Sequence, residues 1–376
     1  MRVLVAMSGG VDSSVVAGLL HEQGHEVVGA TLQLYDHGAA AAKRGACCAG
    51  QDIHDARRVA DRLGVPHYVL DREERFRDAV VRDFADAYAR GETPIPCVRC
   101  NQTVKFHDLV ELARGLGCEA LATGHYARRV DGPGGPELHR AADPARDQSY
   151  FLFATTPDQL AFSRFPLGGF LDKAAVRAEA ARLGLPVAEK PDSQDICFVP
   201  SGRYHEVVGR FRPDAAEPGE IAHLDGRVLG RHAGVARFTV GQGRGLGAAS
   251  RDADGERLFV ASLDAGRRRV VVGPRAALPL PVVVAGEVNW LAPPPAGAFA
   301  CEAKLRAREA PQPATAEWDG AAGLLRVRPA SPAVAAPGQA CVLYAGERVL
   351  CGGFIMRAAA AAPAGLDRID TAETAA

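Results

Sequence analysis

The sequence predicts an α/β chain: a doubly wound parallel sheet at the N-terminus, then a small β-rich central domain, then a C-terminal β-barrel. Three observations predict it. Over the first 125 residues, strand-like apolar runs alternate with segments carrying apolar residues at helical spacing, the pattern of a parallel sheet. The residues with the most chemical meaning follow two of those runs, where such sheets bind ligands. After about residue 205 the pattern turns to short β-type runs separated by Gly and Pro, as in small β modules and barrels.

Taken in order, Val3-Leu4-Val5-Ala6-Met7 is the first strand, and Val15, Val16, Leu19 and Leu20 are the apolar positions of the helix after it. Val27–Leu32 is the second strand. Ala56, Val59, Ala60 and Leu63 mark a helix that Asp52 can cap and Gly64-Val65-Pro66 stops. His67–Leu70 is the next strand, and Phe76, Val80, Phe84 and Tyr88 lie on one longer helix. Leu109, Leu112, Ala113 and Leu116 repeat the helical spacing, and Ala120–Thr123 is a strand ending in Gly124-His125-Tyr126. Residues 131–136 read as a turn-rich excursion, and a helical region capped by Asp172 runs to about Leu183. Arg237–Val240, Leu258–Val260 and Arg269–Val272 read as strands, and Pro279 and Pro281 mark a joint. The expected units are 1–205, 206–278 and 279–357, with an Ala-rich disordered tail over 358–376.

Between the first strand and its helix stands Ser8-Gly9-Gly10-Val11-Asp12-Ser13-Ser14. Free N–H groups at a helix start bind anions, and the helix dipole adds to this. Gly9 and Gly10 allow close backbone approach to a phosphate, and Ser8, Ser13 and Ser14 add hydroxyl donors. A carboxylate there, Asp12, makes sense if it helps hold a cation such as Mg²⁺. Neither a G-x-x-x-x-G-K-[ST] nor a G-x-G-x-x-G loop follows the first strand. Gly243–Ala248 does match G-x-G-x-x-A, but no helix is predicted after it, so it reads as a flexible loop that could touch RNA.

Size and composition bound the rest. A chain of 376 residues with 47% hydrophobic content can build two or three domains, and no apolar run reaches membrane-spanning length. With no signal-like segment at Met1-Arg2-Val3, a cytoplasmic enzyme is the expectation. Residues 1–200 carry 23 basic and 27 acidic side chains; residues 201–376 carry 21 and 18. A mildly basic C-terminal half is compatible with RNA without demanding it. Nine cysteines, odd in number and irregular in spacing, suit thiol chemistry or metal binding better than a disulfide scaffold. Cys118, Cys301, Cys341 and Cys351 read as buried small hydrophobes. Cys97-x-x-Cys100 with Cys47-Cys48 could form a four-cysteine metal or iron–sulfur site, although adjacent cysteines are poor ligand geometry.

The loop at Ser8 resembles that of the ATP pyrophosphatases, which split ATP between the α and β phosphates. Pro96-Cys97-Val98-Arg99-Cys100-Asn101 with Thr103–Phe106, Lys190–Phe198, Gly124-His125-Tyr126, Asp147–Leu152 and Pro337-Gly338-Gln339 extend the likeness. Together they resemble the tRNA-specific 2-thiouridylases, over about residues 3–356. The resemblance implies an adenine nucleotide alpha hydrolase-like catalytic domain. It implies that the chain adenylates the C2 oxygen of the wobble uridine in tRNAs for Lys, Glu and Gln, then delivers sulfur from a cysteine persulfide. ATP with Mg²⁺ and a persulfide-donating relay protein or cysteine desulfurase are the implied cofactors and partner. By motif match Cys197 carries the persulfide and Cys100 is its partner nucleophile. Ala6, Met7, Ser8, Gly9, Gly10, Val11, Asp12, Ser13, Leu32 and Gly124 fall at nucleotide-binding positions. His125, Arg146, Asp147, Gln148, Arg306 and Gln339 fall at tRNA-contacting ones. Resident metal ligands are not implied.

One position departs from that pattern. Many members carry Asn-Pro-Asp where this chain has Ile95-Pro96-Cys97. Cys97 could be a spacer, an acid–base group or the resolving thiol; the Cys-Asn pattern favours Cys100 for the last role. Two other functions remain open from residues alone: an ATP pyrophosphatase that amidates a small metabolite, with no need for Cys197 or RNA, and an RNA-binding protein with a dead nucleotide site. The intact loop speaks against the second.

Overall fold

The computed structural model describes residues 1–35, 49–192, 196–199 and 203–357. Cys47, Cys48, the Ser193–Asp195 part of the second cysteine motif and the Ala-rich tail lie outside them.

The N-terminal sheet has strand order β3-β2-β1-β4-β7, all parallel: β1 (Arg2–Ala6), β2 (Glu26–Gln33), β3 (His67–Asp71), β4 (Ala120–Ala122) and β7 (Ser163–Arg164). Side chains of β1 alternate between two cores, because successive residues of a strand face opposite ways. Val3 and Val5 join the core under helices α1 (Val11–Glu22), α2 (Ala49–Leu63) and α8 (Lys173–Arg182); Leu4 joins the one under α6 (Phe106–Gly115). This is the doubly wound architecture the alternation predicts.

Several elements differ from the sequence reading. The helix expected over Phe76–Tyr88 is continuous but not uniform: α3 (Glu73–Phe76) and α4 (Arg82–Ala89) flank a π turn at Arg77–Val81. Asp52 lies inside the first turn of α2 instead of capping it, and its carboxylate is held by Lys190. The excursion at 131–136 is the tip of a hairpin, β5 (Arg128–Gly132) and β6 (Gly135–His139), that reaches the barrel through His139 and Arg348. The helical region beyond it is broken by β7, between α7 (Pro157–Phe162) and α8. Arg237–Val240 is no strand. Gly234 and Gly241 take φ values of 121° and 88°, and Thr239 N–H donates to Gln242 Oε1, so the run is bent into turns.

After α9 (Tyr204–Phe211) comes a four-stranded sheet in the order β10-β11-β8-β9, from β8 (Gly219–His223), β9 (Val228–His232), β10 (Leu258–Asp264) and β11 (Arg269–Pro274), over its own core. Gly243–Ala248 is followed by a 3₁₀ turn (Gly247–Ser250), so the helix a dinucleotide site needs is missing there.

Six antiparallel strands then close a barrel: β12 (Val283–Trp290), β13 (Ala298–Lys304), β14 (Gln312–Asp319), β15 (Leu324–Pro329), β16 (Ala340–Ala345) and β17 (Arg348–Ile355), with β12 pairing both β15 and β17. Ala340, Val342, Tyr344 and Val349 belong to the same apolar cluster as Leu4 and Phe106, so barrel and N-terminal sheet share a core. No helix of the described residues is long and apolar enough to cross a membrane.

Candidate active site

A cavity of about 500 Å³ opens at the carboxyl ends of β1, β2 and β4. The loop at Ser8 forms one wall. Its hydroxyls are largely spent on its own shape. Ser13 Oγ accepts from Ser8 N–H at 3.1 Å, and the fully buried Ser14 hydroxyl donates to Gly10 O at 2.8 Å. Ser14 is therefore a loop brace and not a donor to a ligand. Gly9 has a reason of its own: φ is +73°, and a Cβ there would lie 2.1 Å from Asp52 O. It seats the loop on α2, while Gly10 faces the cavity. Gly124 closes from the other side, where a Cβ would lie 2.9 Å from Ser13 N.

Two lysines pin the loop. Lys190 Nζ reaches Gly9 O at 3.0 Å, Asp52 at 2.7 Å and Asp55 at 2.6 Å. Lys173 Nζ lies 2.8 Å from both Asp12 oxygens and 2.9 Å from Asp192; Tyr126 OH also donates to Asp12, at 2.6 Å. Burial pushes the Asp192 carboxyl up, but Lys173 and Arg146 outweigh it and hold it below the usual range. Asp192 thus ties the Ser8 loop to the start of the Cys197 segment.

The thiols line the same cavity. Helix α5 (Pro96–Cys100) carries the exposed Cys97 and the buried Cys100, and both line the cavity with Cys197. Phe198 anchors the Cys197 segment edge-on against Phe76 and Phe84, in the cluster that holds Cys100. Cys197 is exposed, yet desolvation by the surrounding protein pushes its thiol up to about 12, with Lys105 pulling the other way. Burial likewise raises Cys100, again opposed by Lys105. His125 bonds Thr123 at 2.8 Å and stacks on Phe106; burial and then Lys105 push it down to about 3, so it is neutral.

The barrel positions α5. Arg99 pairs with Glu287 at 2.7 and 2.9 Å, and its guanidinium lies 4.0 Å from the Phe354 ring centroid. Glu287 sits in a bulge of β12 with φ 49°, a left-handed backbone that a non-glycine residue adopts only where its surroundings enforce it. Asn101, buried next to Cys100, donates to Phe151 O at 3.1 Å.

Of the residues expected from sequence, Ala6, Met7, Ser8, Gly10, Val11, Asp12, Ser13, Leu32, Cys100, Gly124, His125, Arg146, Gln148 and Cys197 line this one cavity. Gly9, Asp147, Arg306 and Gln339 do not. Asp147 accepts from Ala141 N, Ser149 N and Ser149 Oγ. Arg306 lies between Glu309 and Gly241, and Gln339 donates to Thr93 O at 2.9 Å. No group of three or more metal-ligating side chains occurs among the described residues. Lys105, Lys173, Lys190 and the Arg99–Glu287 pair were not singled out from sequence.

A family model described as tRNA methyl transferase HUP domain matches residues 1–201, a tRNA methyl transferase PRC-barrel domain matches 206–274, and an aminomethyltransferase beta-barrel domain matches 282–355. The tRNA-specific 2-thiouridylase MnmA of Acidiphilium cryptum is 67% identical, over 95% of this chain and 100% of that protein. Its counterpart in Rhodospirillum centenum is 61% identical, over 96% and 92%. That of Gluconobacter oxydans is 62% identical, over 94% and 99%.

Proposed function

The chain belongs to the tRNA-specific 2-thiouridylase family, and from that premise we propose that it replaces the C2 oxygen of the wobble uridine with sulfur in tRNAs for Lys, Glu and Gln. The observation that carries the reading is a single cavity with an anion-binding loop on one wall and three thiols on another.

A pyrimidine C2 oxygen is a poor leaving group. Attack of that oxygen on the α phosphate of ATP makes it part of an AMP ester and releases pyrophosphate. The N–H groups of the Ser8–Ser13 loop at the start of α1 receive the phosphates, and Leu32 and Gly124 flank the adenosine. Mg²⁺ travelling with ATP would supply charge neutralisation for the pyrophosphate leaving group. One carboxylate plus phosphate oxygens is enough to hold it, and Asp12 would supply the carboxylate by exchanging part of its contact with Lys173.

Sulfur arrives as a persulfide on Cys197, from a relay protein or cysteine desulfurase in the cytoplasm. The Cys100 thiolate attacks the Cys197 sulfur; the persulfide S–S bond breaks, HS⁻ leaves, and a Cys100–Cys197 disulfide forms. HS⁻ adds at C2 and AMP departs. An external thiol reductant returns both cysteines to thiols. The target base must leave its stack to expose C2, which an anticodon loop permits at low cost.

His125, Arg146, Asp147, Gln148, Arg306 and Gln339 are assigned to the tRNA side. Asp147 and Gln148 act there by shaping the loop they brace. The central module supplies charge: residues 228–275 hold nine arginines against four acidic residues. Arg231, Arg237, Arg244, Arg251, Arg257 and Arg275 are exposed and form no ion pair among the described residues, which suits phosphate contact.

Product analysis tests the reading. With tRNA present, ATP is expected to yield AMP and pyrophosphate; ADP and phosphate would remove the assignment of the loop.

A further inference from the structure

We propose that Lys105 is a catalytic residue of sulfur transfer: its ammonium holds the Cys100 thiolate and the sulfide anion released from Cys197. This rests on the sulfur-transfer reading above and goes beyond it in naming the cation.

The geometry begins with the backbone. Lys105 ends a π turn, Asn101–Lys105, that follows α5 directly. In an α-helix, residues five apart point about 140° away from each other. A π turn closes its hydrogen bond over five residues, so the wider turn brings position 105 back toward the face of Cys100. Phe106 N–H donating to Asn101 O makes that closure. The side chain lines the cavity and forms no hydrogen bond or ion pair among the described residues.

Cys97 and Cys100 on α5, Cys197, and the neutral His125 at the end of β4 line the same cavity as Lys105 and act on it electrostatically. The cavity's carboxylates are committed elsewhere: Asp12 and Asp192 to Lys173, Asp52 to Lys190. Burial works against the charge of Lys105, and the cysteine sulfurs of the cavity outweigh it, so the ammonium is held above the usual lysine range. An ammonium with no carboxylate partner among the described residues, in a cavity lined by thiols, is what the transfer step needs. As Cys100 S⁻ attacks, negative charge passes from Cys100 to the departing HS⁻, and Lys105 stays protonated throughout. A lysine fits this better than an arginine, since a compact point charge can follow the anion from one sulfur to the next.

The test is site-resolved alkylation with iodoacetamide, read by mass spectrometry on the Cys100 peptide across pH. Lys105→Gln and Lys105→Met are expected to slow Cys100 alkylation at neutral pH about tenfold or more and to move the profile to higher pH. Lys105→Arg should stay near the wild-type profile, and ATP affinity should change in none of the three. An unchanged Cys100 profile in a folded neutral variant overturns the proposal. So does a loss of ATP affinity without a profile change, which would make Lys105 a phosphate ligand. Should neither neutral variant fold, the wild-type protein decides. It has five lysines, Lys43, Lys105, Lys173, Lys190 and Lys304, so isotope-labelled lysine gives few resonances. The Lys105 signal, identified by its loss in Lys105→Arg, must move as Cys100 titrates, and that component of the movement must be lost in Cys100→Ser. No movement in the wild type overturns the proposal. A wild-type enzyme that forms no 2-thiouridine would instead sink the functional reading, leaving the alkylation result intact.

Discussion

Replacing Cys100 or Cys197 by serine is expected to reduce single-turnover sulfur transfer to background, while Cys97→Ser keeps most of it. Serine can neither carry a persulfide nor close a disulfide, so each loss is complete, while adenylation needs no thiol and AMP ester accumulates on the tRNA. The burial pattern supports Cys100 over Cys97 as the proposed partner. Cys100 is 5% exposed and packs in the cluster that receives Phe198, the residue after Cys197. Its neighbour Asn101 is bonded to Phe151 O, which fixes the helix end. Cys97 is exposed, one turn earlier. Quantifying 2-thiouridine for the three variants decides it. A dead Cys97→Ser with an active Cys100→Ser would reverse the assignment.

Gly9→Ala is expected to lower ATP affinity at least tenfold and to destabilise the fold by about 1–3 kcal/mol. Two costs combine. The φ of +73° is unfavourable for alanine, and the new Cβ would meet Asp52 O at 2.1 Å, so α2 must move. That movement disturbs Asp52, which shares Lys190 with the Gly9 carbonyl, and so reshapes the loop without touching the ligand. Gly24 is the control. Its φ is +79° but nothing lies within 4 Å of its Cβ position, so Gly24→Ala pays only the backbone term and binds ATP normally. Thermal melting and ATP titration of both variants separate strain from collision. Equal ATP affinity in both would show that the seating of Gly9 on α2 does not matter for binding.

The parallel sheet was legible because β1, β2 and β4 are short apolar runs whose helices carry their apolar stripe at regular spacing. The loop was legible because small residues between a strand and a helix have few other uses. What sequence could not give was long-range. The Arg99–Glu287 pair joins residues 188 apart, and nothing local marks Glu287 as a left-handed bulge residue. The Arg237–Val240 run has strand composition, but the glycines on either side bend it. Hairpin β5–β6 announces its turn through Gly and Pro but not the barrel strand it meets. Gly9 was read as a phosphate approach, yet its need comes from α2, which only tertiary contact reveals. One further signal lies in the composition. Of 44 basic residues only five are lysine, and Lys105, Lys173 and Lys190 converge on this cavity. In a chain that uses arginine almost everywhere, a lysine marks a place where a point charge is wanted and a planar fork is not.

The most direct measurement is one reaction containing the full chain, ATP with Mg²⁺, a persulfide donor and unmodified lysine tRNA. AMP is counted and the wobble nucleoside identified by mass spectrometry. The expected result is 2-thiouridine at that position in equal amount to AMP. A wobble uridine left unchanged while ATP is consumed, or sulfur incorporated without AMP, would contradict it.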